Sequence, residues 1–267
     1  MTRIIVAGAT GRMGSRIVAL SMGYQGLQLA GAFERKGHPS TGKDIGLLSG
    51  CGECNVPLVD NVELIIDSGD VIIDFTMPES TLNHVQLAAS RRKAMVIGTT
   101  GITPLQIETI RQCAAEIPVV LAPNMSVGVN LLLKVLKDVS MVLGDDYDIE
   151  IVEAHHRLKK DAPSGTALKM AQVIAEAVDR NLDEVAVYSR KGITGERGKK
   201  EIGIQTVRAG DIVGDHTVLF GGLGERIEIT HKASSRDTFA RGALRAALWL
   251  ADKKPGLYDM QDVLGLK

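Results

Sequence analysis

An apolar strand that empties directly into evenly spaced glycines constrains this chain more than any other feature. "RIIVAG" (3–8) is apolar at almost every position, and "GATGRMG" follows with glycines at 8, 11 and 14. The next stretch, "GRMGSRIVALSM" (11–22), reads as a helix. A short strand without polar alternation is buried on both faces, as in a sheet covered by helices. The spacing G-x-x-G-x-x-G between strand and helix is a variant of the Rossmann glycine pattern. In that pattern Gly8 permits the tight turn, Gly11 lets the backbone approach a pyrophosphate, and Gly14 allows close helix–strand packing. The helix start then offers free N–H groups and a partial positive charge to the anion.

The same texture continues through the first half. "LQLAGAF" (27–33), "DVIIDFT" (70–76), "AMVIGTT" (94–100) and "PVVLAP" (118–123) repeat the strand signal, with helix candidates at 79–92 and 103–116. Strands alternating with helices predict parallel βαβ units and an α/β fold with a doubly wound sheet. After Asn124 the pattern changes. A helix at 126–143, the strand "DIEIVEA" (148–154) and a helix at 164–178 precede four strand-like runs, "EVAVYSR", "EIGIQTVRAG", "DIVGDHTVLF" and "ERIEITHKA". That order predicts an α+β region with a mixed or antiparallel sheet. "RKGITGERGKK" (190–200) reads as an exposed basic loop, and "DTFARGALRAALWLAD" (237–252) as a last helix able to pack on the first domain.

Charge narrows the function classes. Lys plus Arg is 31 and Asp plus Glu is 32, a formal net charge of −1. A nucleic-acid or membrane-surface protein usually carries a global basic excess, so neither partner is expected. The chain starts straight into its first strand without a signal-peptide pattern, and no apolar run approaches the roughly 18 residues of a membrane span. A cytoplasmic location is expected. Cys51 and Cys54 form a C-x-x-C, but no second pair follows, and with Cys113 they read as reduced thiols rather than a zinc site.

Two segments carry chemistry. The first is the glycine loop together with Glu34, at the end of the second strand and 20 residues past Gly14. A carboxylate there hydrogen-bonds the ribose hydroxyls of NAD, and the adjacent Arg35 offers a guanidinium to the 2′-phosphate of NADP. Glu34 beside Arg35 predicts use of both NADH and NADPH. "GTTG" (98–101) and "APNMS" (122–126) stand at carboxyl ends of strands. Their small residues suit a close-lying nicotinamide ribose or an ordinary βα turn, and the pattern leaves both open.

The second segment is "EAHHRLKKDAPSGTALKMA" (153–171). Neighbouring side chains of an extended strand point to opposite faces, so His155 and His156 serve one ligand only if a turn intervenes. Arg157, Lys159 and Lys160 add positive charge. Ser164, Gly165 and Thr166 then open a helix whose stripe is Leu168, Ala171, Ile174 and Ala175. A Ser or Thr with Gly at a helix start exposes N–H donors to a carboxylate or phosphate. Together these residues describe a pocket for a small polyanion with proton donors beside it. Adjacent histidines with Asp161 six residues beyond His155 fit no common metal-ligand spacing, so no metal is expected. An amino-acid or semialdehyde dehydrogenase would share the glycine loop without needing this segment. A nucleotide-sensing regulator would need a DNA-binding helix pair or basic patch that the chain lacks.

"GATGRMG", "VIGTTG", "NMSVGVN", "EAHHRLKKDAPSGTA", "YSRKGITGERG", "VRAGDIVGDHTV" and "ERIEITHKASSRDTFARGALRAALWL" resemble, in order and along the whole chain, the 4-hydroxy-tetrahydrodipicolinate (dihydrodipicolinate) reductase family. The resemblance implies an enzyme of lysine and diaminopimelate synthesis that reduces a cyclic imine dicarboxylate with NADH or NADPH. It implies a Rossmann-like nucleotide domain built from 1–126 and 236–267, an inserted substrate-binding and oligomerisation domain at 127–235, and a homotetramer. His155 would be the acid/base residue and Lys159 the proton donor, with His156, Gly165 and Thr166 holding substrate carboxylates. The cofactor would touch Gly8, Ala9, Thr10, Gly11, Arg12, Met13, Glu34, Arg35, Gly98, Thr99, Thr100, Ala122, Pro123, Asn124 and Met125. Lys160 falls at a variable position of the motif, so Lys159 takes the donor role by register.

Overall fold

The computed structural model describes residues 1–267 and divides into two compact units, Met1–Val127 with Arg236–Lys267, and Gly128–Ser235. In the first unit β1 (Thr2–Ala7), α1 (Gly14–Ser21) and β2 (Leu27–Phe33) lead through the short α2 (Ile45–Leu48) to β3 (Leu58–Val59). Then follow β4 (Val71–Asp74), α3 (Pro78–Ser90), β5 (Ala94–Ile97), α4 (Pro104–Ala114) and β6 (Pro118–Leu121). The second unit holds α5 (Val127–Leu143), β7 (Asp148–His155), α6 (Gly165–Ala177), α7 (Leu182–Val185), β8 (Ala186–Val187), β9 (Ile202–Arg208), β10 (Gly214–Gly221) and β11 (Arg226–Ala233). The chain returns to the first unit with α8 (Asp237–Leu250), β12 (Gly256–Tyr258) and α9 (Met260–Leu264).

The first sheet has the order β3-β2-β1-β4-β5-β6-β12, with every pairing parallel. Its central strands need no polar face because helices cover both sides. Along β1, Ile4 and Val6 meet α1 and α8, whereas Ile5 and Ala7 meet α3 and α4. Small residues let α8 lie close: Ala240, Ala243, Ala246 and Ala247 are buried, and a Cβ on Gly242 would come within 1.7 Å of the Met125 carbonyl oxygen. The chain runs outward from β1 to β3, then crosses back to β4 on the other side of β1. In a doubly wound sheet that reversal opens a ligand crevice at the carboxyl ends of β1 and β4.

The second sheet has the order β8-β9-β7-β10-β11. β7 is parallel to β9 and antiparallel to β10, so the sheet is mixed. Alternate residues of β7 (Ile149, Ile151, Glu153 and His155) are buried on the face that α5 and α6 cover with Leu136, Met170 and Ile174. On other strand positions Val152, Val207 and Ile227 are exposed. The run "EVAVYSR" does not form one strand. Asn181 accepts a hydrogen bond from the Asp183 N–H, capping a turn of helix at Leu182–Val185 and leaving only two residues to pair with β9. The expected strands 70–76, 94–100 and 118–123 end earlier, because their last residues form the site-bearing loops. No helix is long and apolar enough to cross a membrane.

Candidate active site

The glycine loop is shaped as its spacing requires. Gly8 has φ +58°, and a Cβ on Gly14 would lie 2.1 Å from the Gly8 carbonyl oxygen, inside any tolerable contact. The Gly11 N–H donates to that same carbonyl at 2.9 Å. No side chain caps the first turn of α1. Glu34 reaches back across the loop: its Oε1 accepts from the Thr10 N–H at 3.1 Å and from the Thr10 hydroxyl at 2.7 Å. A cavity lined by Gly8, Glu34, Arg35, Thr76, Met77 and His84 opens there, at the carboxyl ends of β1, β2 and β4. Arg12 and Arg35 are exposed, Met13 is half-buried and Ala9 is buried.

The other expected cofactor contacts lie on the same edge of the parallel sheet, and their side chains divide into committed and open ones. A Cβ on Gly98 would meet the Phe75 ring at 2.2 Å, so this glycine is needed for packing whatever else it touches. Thr99 is turned inward, its hydroxyl 2.8 Å from that of Thr81 and within reach of Asp74. Thr100 and Pro123 are exposed; Ala122 and Met125 are buried in the core; Asn124 Oδ1 accepts from the Ser126 N–H at 2.9 Å. Sequence reasoning missed the group that organises this edge. Asp74 is fully buried, accepts from the Thr76 N–H and hydroxyl at 2.7 and 2.6 Å, and pairs with His84 Nδ1 at 2.6 Å. Its signal was available: a carboxylate inside the apolar run "VIIDF" needs buried partners.

In the second unit β7 ends at His155 and the chain turns at once. The His156 N–H donates to the Ile212 carbonyl, and the Lys159 N–H to that of His156. His155 is buried and His156 half-buried, with His156 Nδ1 buried and unpartnered. Lys159 is mostly covered and bonds both oxygens of the exposed Asp161, at 2.9 and 2.8 Å; Lys160 is exposed. Ser164 caps α6, its hydroxyl accepting from the Ala167 N–H at 3.1 Å. Gly165 is exposed and Thr166 half-buried at the helix start.

Beneath these lies a buried carboxylate. Glu153 is fully buried two residues before His155, on the same face of β7. Its Oε2 faces His155 Nδ1 at 2.6 Å, and its Oε1 accepts from the Ser164 N–H at 3.0 Å. Arg208 on β9 grips both oxygens at 2.8 Å, and Thr206 adds a bond to Oε1 at 3.3 Å. Burial alone would lift the Glu153 carboxyl, but the Arg208, His155 and Ser164 hydrogen bonds outweigh it and hold the group at about 2. An ionised carboxylate only accepts, so the proton of a neutral His155 sits on Nδ1 and Nε2 carries the lone pair. Burial lowers the His155 imidazole below its ordinary value, with Lys159 and Arg208 pushing the same way and Glu153 opposing. The neutral ring suits a proton acceptor, and the ammonium of Lys159 suits a donor.

His216 on β10 completes the cluster. It is buried, its Nε2 lies 3.0 Å from the Ser164 hydroxyl, and its ring packs edge-on to His155 at 5.2 Å. Burial, and then the charge of His155, push it down to about 4. Between about 6.5 and 4 the unfolded chain therefore binds a proton that the folded chain refuses, and this contribution to stability is complete only above the upper value. Glu153 acts in the window from about 4.5 to 2, where its protonation in the unfolded chain opposes folding. Each window is worth on the order of 3 kcal/mol. Urea midpoints should fall as the pH drops from about 7 to about 4, and His216→Gln should flatten the decline; a flat wild-type profile would contradict the buried neutral imidazole.

The fold and the two clusters define a class: a two-unit protein with a Rossmann-like parallel sheet and a second, mixed-sheet unit in which histidines and a lysine gather near the start of α6. Comparison with known proteins narrows this. Residues 2–125 match the family "Dihydrodipicolinate reductase, N-terminus" and residues 128–264 match "Dihydrodipicolinate reductase, C-terminus". The 4-hydroxy-tetrahydrodipicolinate reductase of Syntrophus aciditrophicus is 57% identical and that of Hahella chejuensis 58% identical, each over the full length of both chains. A dipicolinate-bound dihydrodipicolinate reductase from Paenisporosarcina sp. TG-14 superposes with a TM-score of 0.75 at 27% identity, covering 98% of each chain. The chain belongs to the dihydrodipicolinate reductase family.

Proposed function

We propose that this chain reduces 4-hydroxy-tetrahydrodipicolinate to tetrahydrodipicolinate, with loss of water, in diaminopimelate and lysine synthesis. The observation that carries the reading is the buried Glu153–His155 pair at 2.6 Å beside Lys159 and the start of α6, in a chain of this family. The dipicolinate bound to the Paenisporosarcina protein is a dicarboxylate, the class of ligand that His156, Gly165 and Thr166 would hold here. The positive end of α6 suits one carboxylate. Lys159 would exchange Asp161 for the substrate and deliver a proton to it, and His155 Nε2 would accept and return protons at the same locus.

A nicotinamide cofactor, when bound, supplies the hydride. The residues of the first unit fit it: the close Gly8–Gly14 turn and the first turn of α1, which no side chain caps, suit a pyrophosphate, and Glu34 suits the ribose hydroxyls. We propose that NADH and NADPH both serve, with Glu34 shifting from Thr10 to the ribose in one case and Arg35 meeting the 2′-phosphate in the other. Val152 and Val207, exposed on the same face of the second sheet, offer apolar surface for the fourfold self-association that the family resemblance implies, which sedimentation would measure.

The test is oxidation of NADH or NADPH with substrate formed in situ from pyruvate and aspartate semialdehyde by the preceding synthase. Absorbance should fall with either cofactor, and no loss with folded protein would end the reading. Arg35→Ala should weaken NADPH by about 10- to 100-fold and leave NADH nearly unchanged, since one lost charge-assisted contact is worth about 1.5–3 kcal/mol. Equal losses for both cofactors would remove the 2′-phosphate role.

A further inference from the structure

Five donor groups converge on the two oxygens of Glu153, from four residues on three separate elements. His155 lies on its own strand, Thr206 and Arg208 on β9, and the Ser164 N–H at the start of α6. Arg208 extends the connection, because its Nη2 also donates to the Asp161 carbonyl at 2.7 Å. The loop that carries Lys159 is thus tied to the same ion pair. Gly214 stands on the other side of His155: a Cβ there would come within 3.0 Å of Nε2, so glycine leaves that edge of the ring unobstructed.

We propose that Glu153, gripped by Arg208, is the positioning residue of this site. Its carboxylate fixes the tautomer of His155 with the proton on Nδ1 and Nε2 presented to substrate. Through the Ser164 N–H it holds the helix start that seats a substrate carboxylate. One buried charge therefore sets the proton-handling ring and the anion seat at a constant separation. The inference rests on the reductase reading above. The logic is that of a carboxylate orienting a catalytic imidazole, where removing the charge while keeping the shape leaves the wrong tautomer. A guanidinium fork is the partner that satisfies both oxygens at once, which a lysine cannot do.

Glu153→Gln keeps the shape and replaces one acceptor oxygen by a donor NH2. If that NH2 faces His155, Nδ1 must become the acceptor and the ring proton moves to Nε2. The expected result is a fall in kcat of about 10²-fold or more, with a smaller rise in KM for the dicarboxylate substrate and unchanged NADPH affinity by fluorescence titration. Nitrogen-15 spectra of histidine-labelled protein should show His155 protonated on Nδ1 in the wild type and on Nε2 in the variant. Arg208→Lys, which keeps the charge but not the fork, should fall between the two in kcat. It also serves as the test if Glu153→Gln does not fold. A kcat within about twofold of wild type in the folded Gln variant would overturn the proposal, as would a wild-type His155 protonated on Nε2. The spectra need no turnover, so a failure of the reductase reading and a failure of this one are separable.

Discussion

Lys159→Ala should lower kcat by about 10²–10⁴-fold, the range for loss of a positioned general acid, whereas Lys160→Ala should leave it within about twofold. The two lysines are adjacent, so charge alone does not separate them. Their surroundings do. Lys159 is folded against its own turn, 19% exposed at the side chain and bonded to Asp161, while Lys160 projects outward. The Asp161 contact keeps the ammonium in place, and Asp161 is itself held low by that same Lys159 hydrogen bond. A substrate carboxylate can then take over from an exposed acid at little cost. Single-turnover measurement with saturating NADPH separates the chemical step from binding. Equal losses in the two variants would mean that the charge of the segment matters and the position of Lys159 does not.

Gly14→Ala and Gly11→Ala should fail in different ways. The added methyl at Gly14 would sit 2.1 Å from the Gly8 carbonyl oxygen and 2.7 Å from the Ala9 Cα, both backbone atoms that cannot swing aside. Overpacking of that kind costs about 1–3 kcal/mol or more, so the variant should melt well below the wild type and bind neither cofactor firmly. At Gly11 the nearest atom is the Gly8 carbonyl oxygen at 3.1 Å, which a shift of a few tenths of an ångström relieves. That variant should keep its melting temperature but lose about tenfold or more in NADPH affinity, because the methyl stands where the pyrophosphate must approach. Thermal melts and fluorescence titrations on the pair decide it. A wild-type melt for Gly14→Ala would contradict the packing of the loop, and wild-type affinity for Gly11→Ala would remove the loop from the cofactor site.

What was legible in the chain followed from local rules. Apolar runs without alternation marked β1, β4 and β5 as doubly covered strands, and the glycine spacing marked the turn into α1, because both depend on residues within one turn or strand of each other. The basic segment from His155 to Lys160 and the helix start at Ser164 were legible for the same reason. The short α7 was not, since "EVAVYSR" has a strand's composition and the Asn181 cap decides otherwise.

The sequence by itself therefore determined the α/β class, the glycine turn into α1 and the location of the candidate site. Only the tertiary structure decided how that site is held. Arg208 lies 55 residues from Glu153, and His216 lies 52 from Ser164. Each reaches its partner because β9 and β10 pair with β7 in one register, which sets Arg208 opposite His155 and His216 opposite Glu153. Half of the arrangement was implicit, as residues 153 and 155 share a face of any strand. The other half comes from strand pairing, which is specified by the burial of a whole face and by no local pattern. That pairing turns a run of charged residues into one buried carboxylate with a histidine, an arginine and a helix start fixed around it.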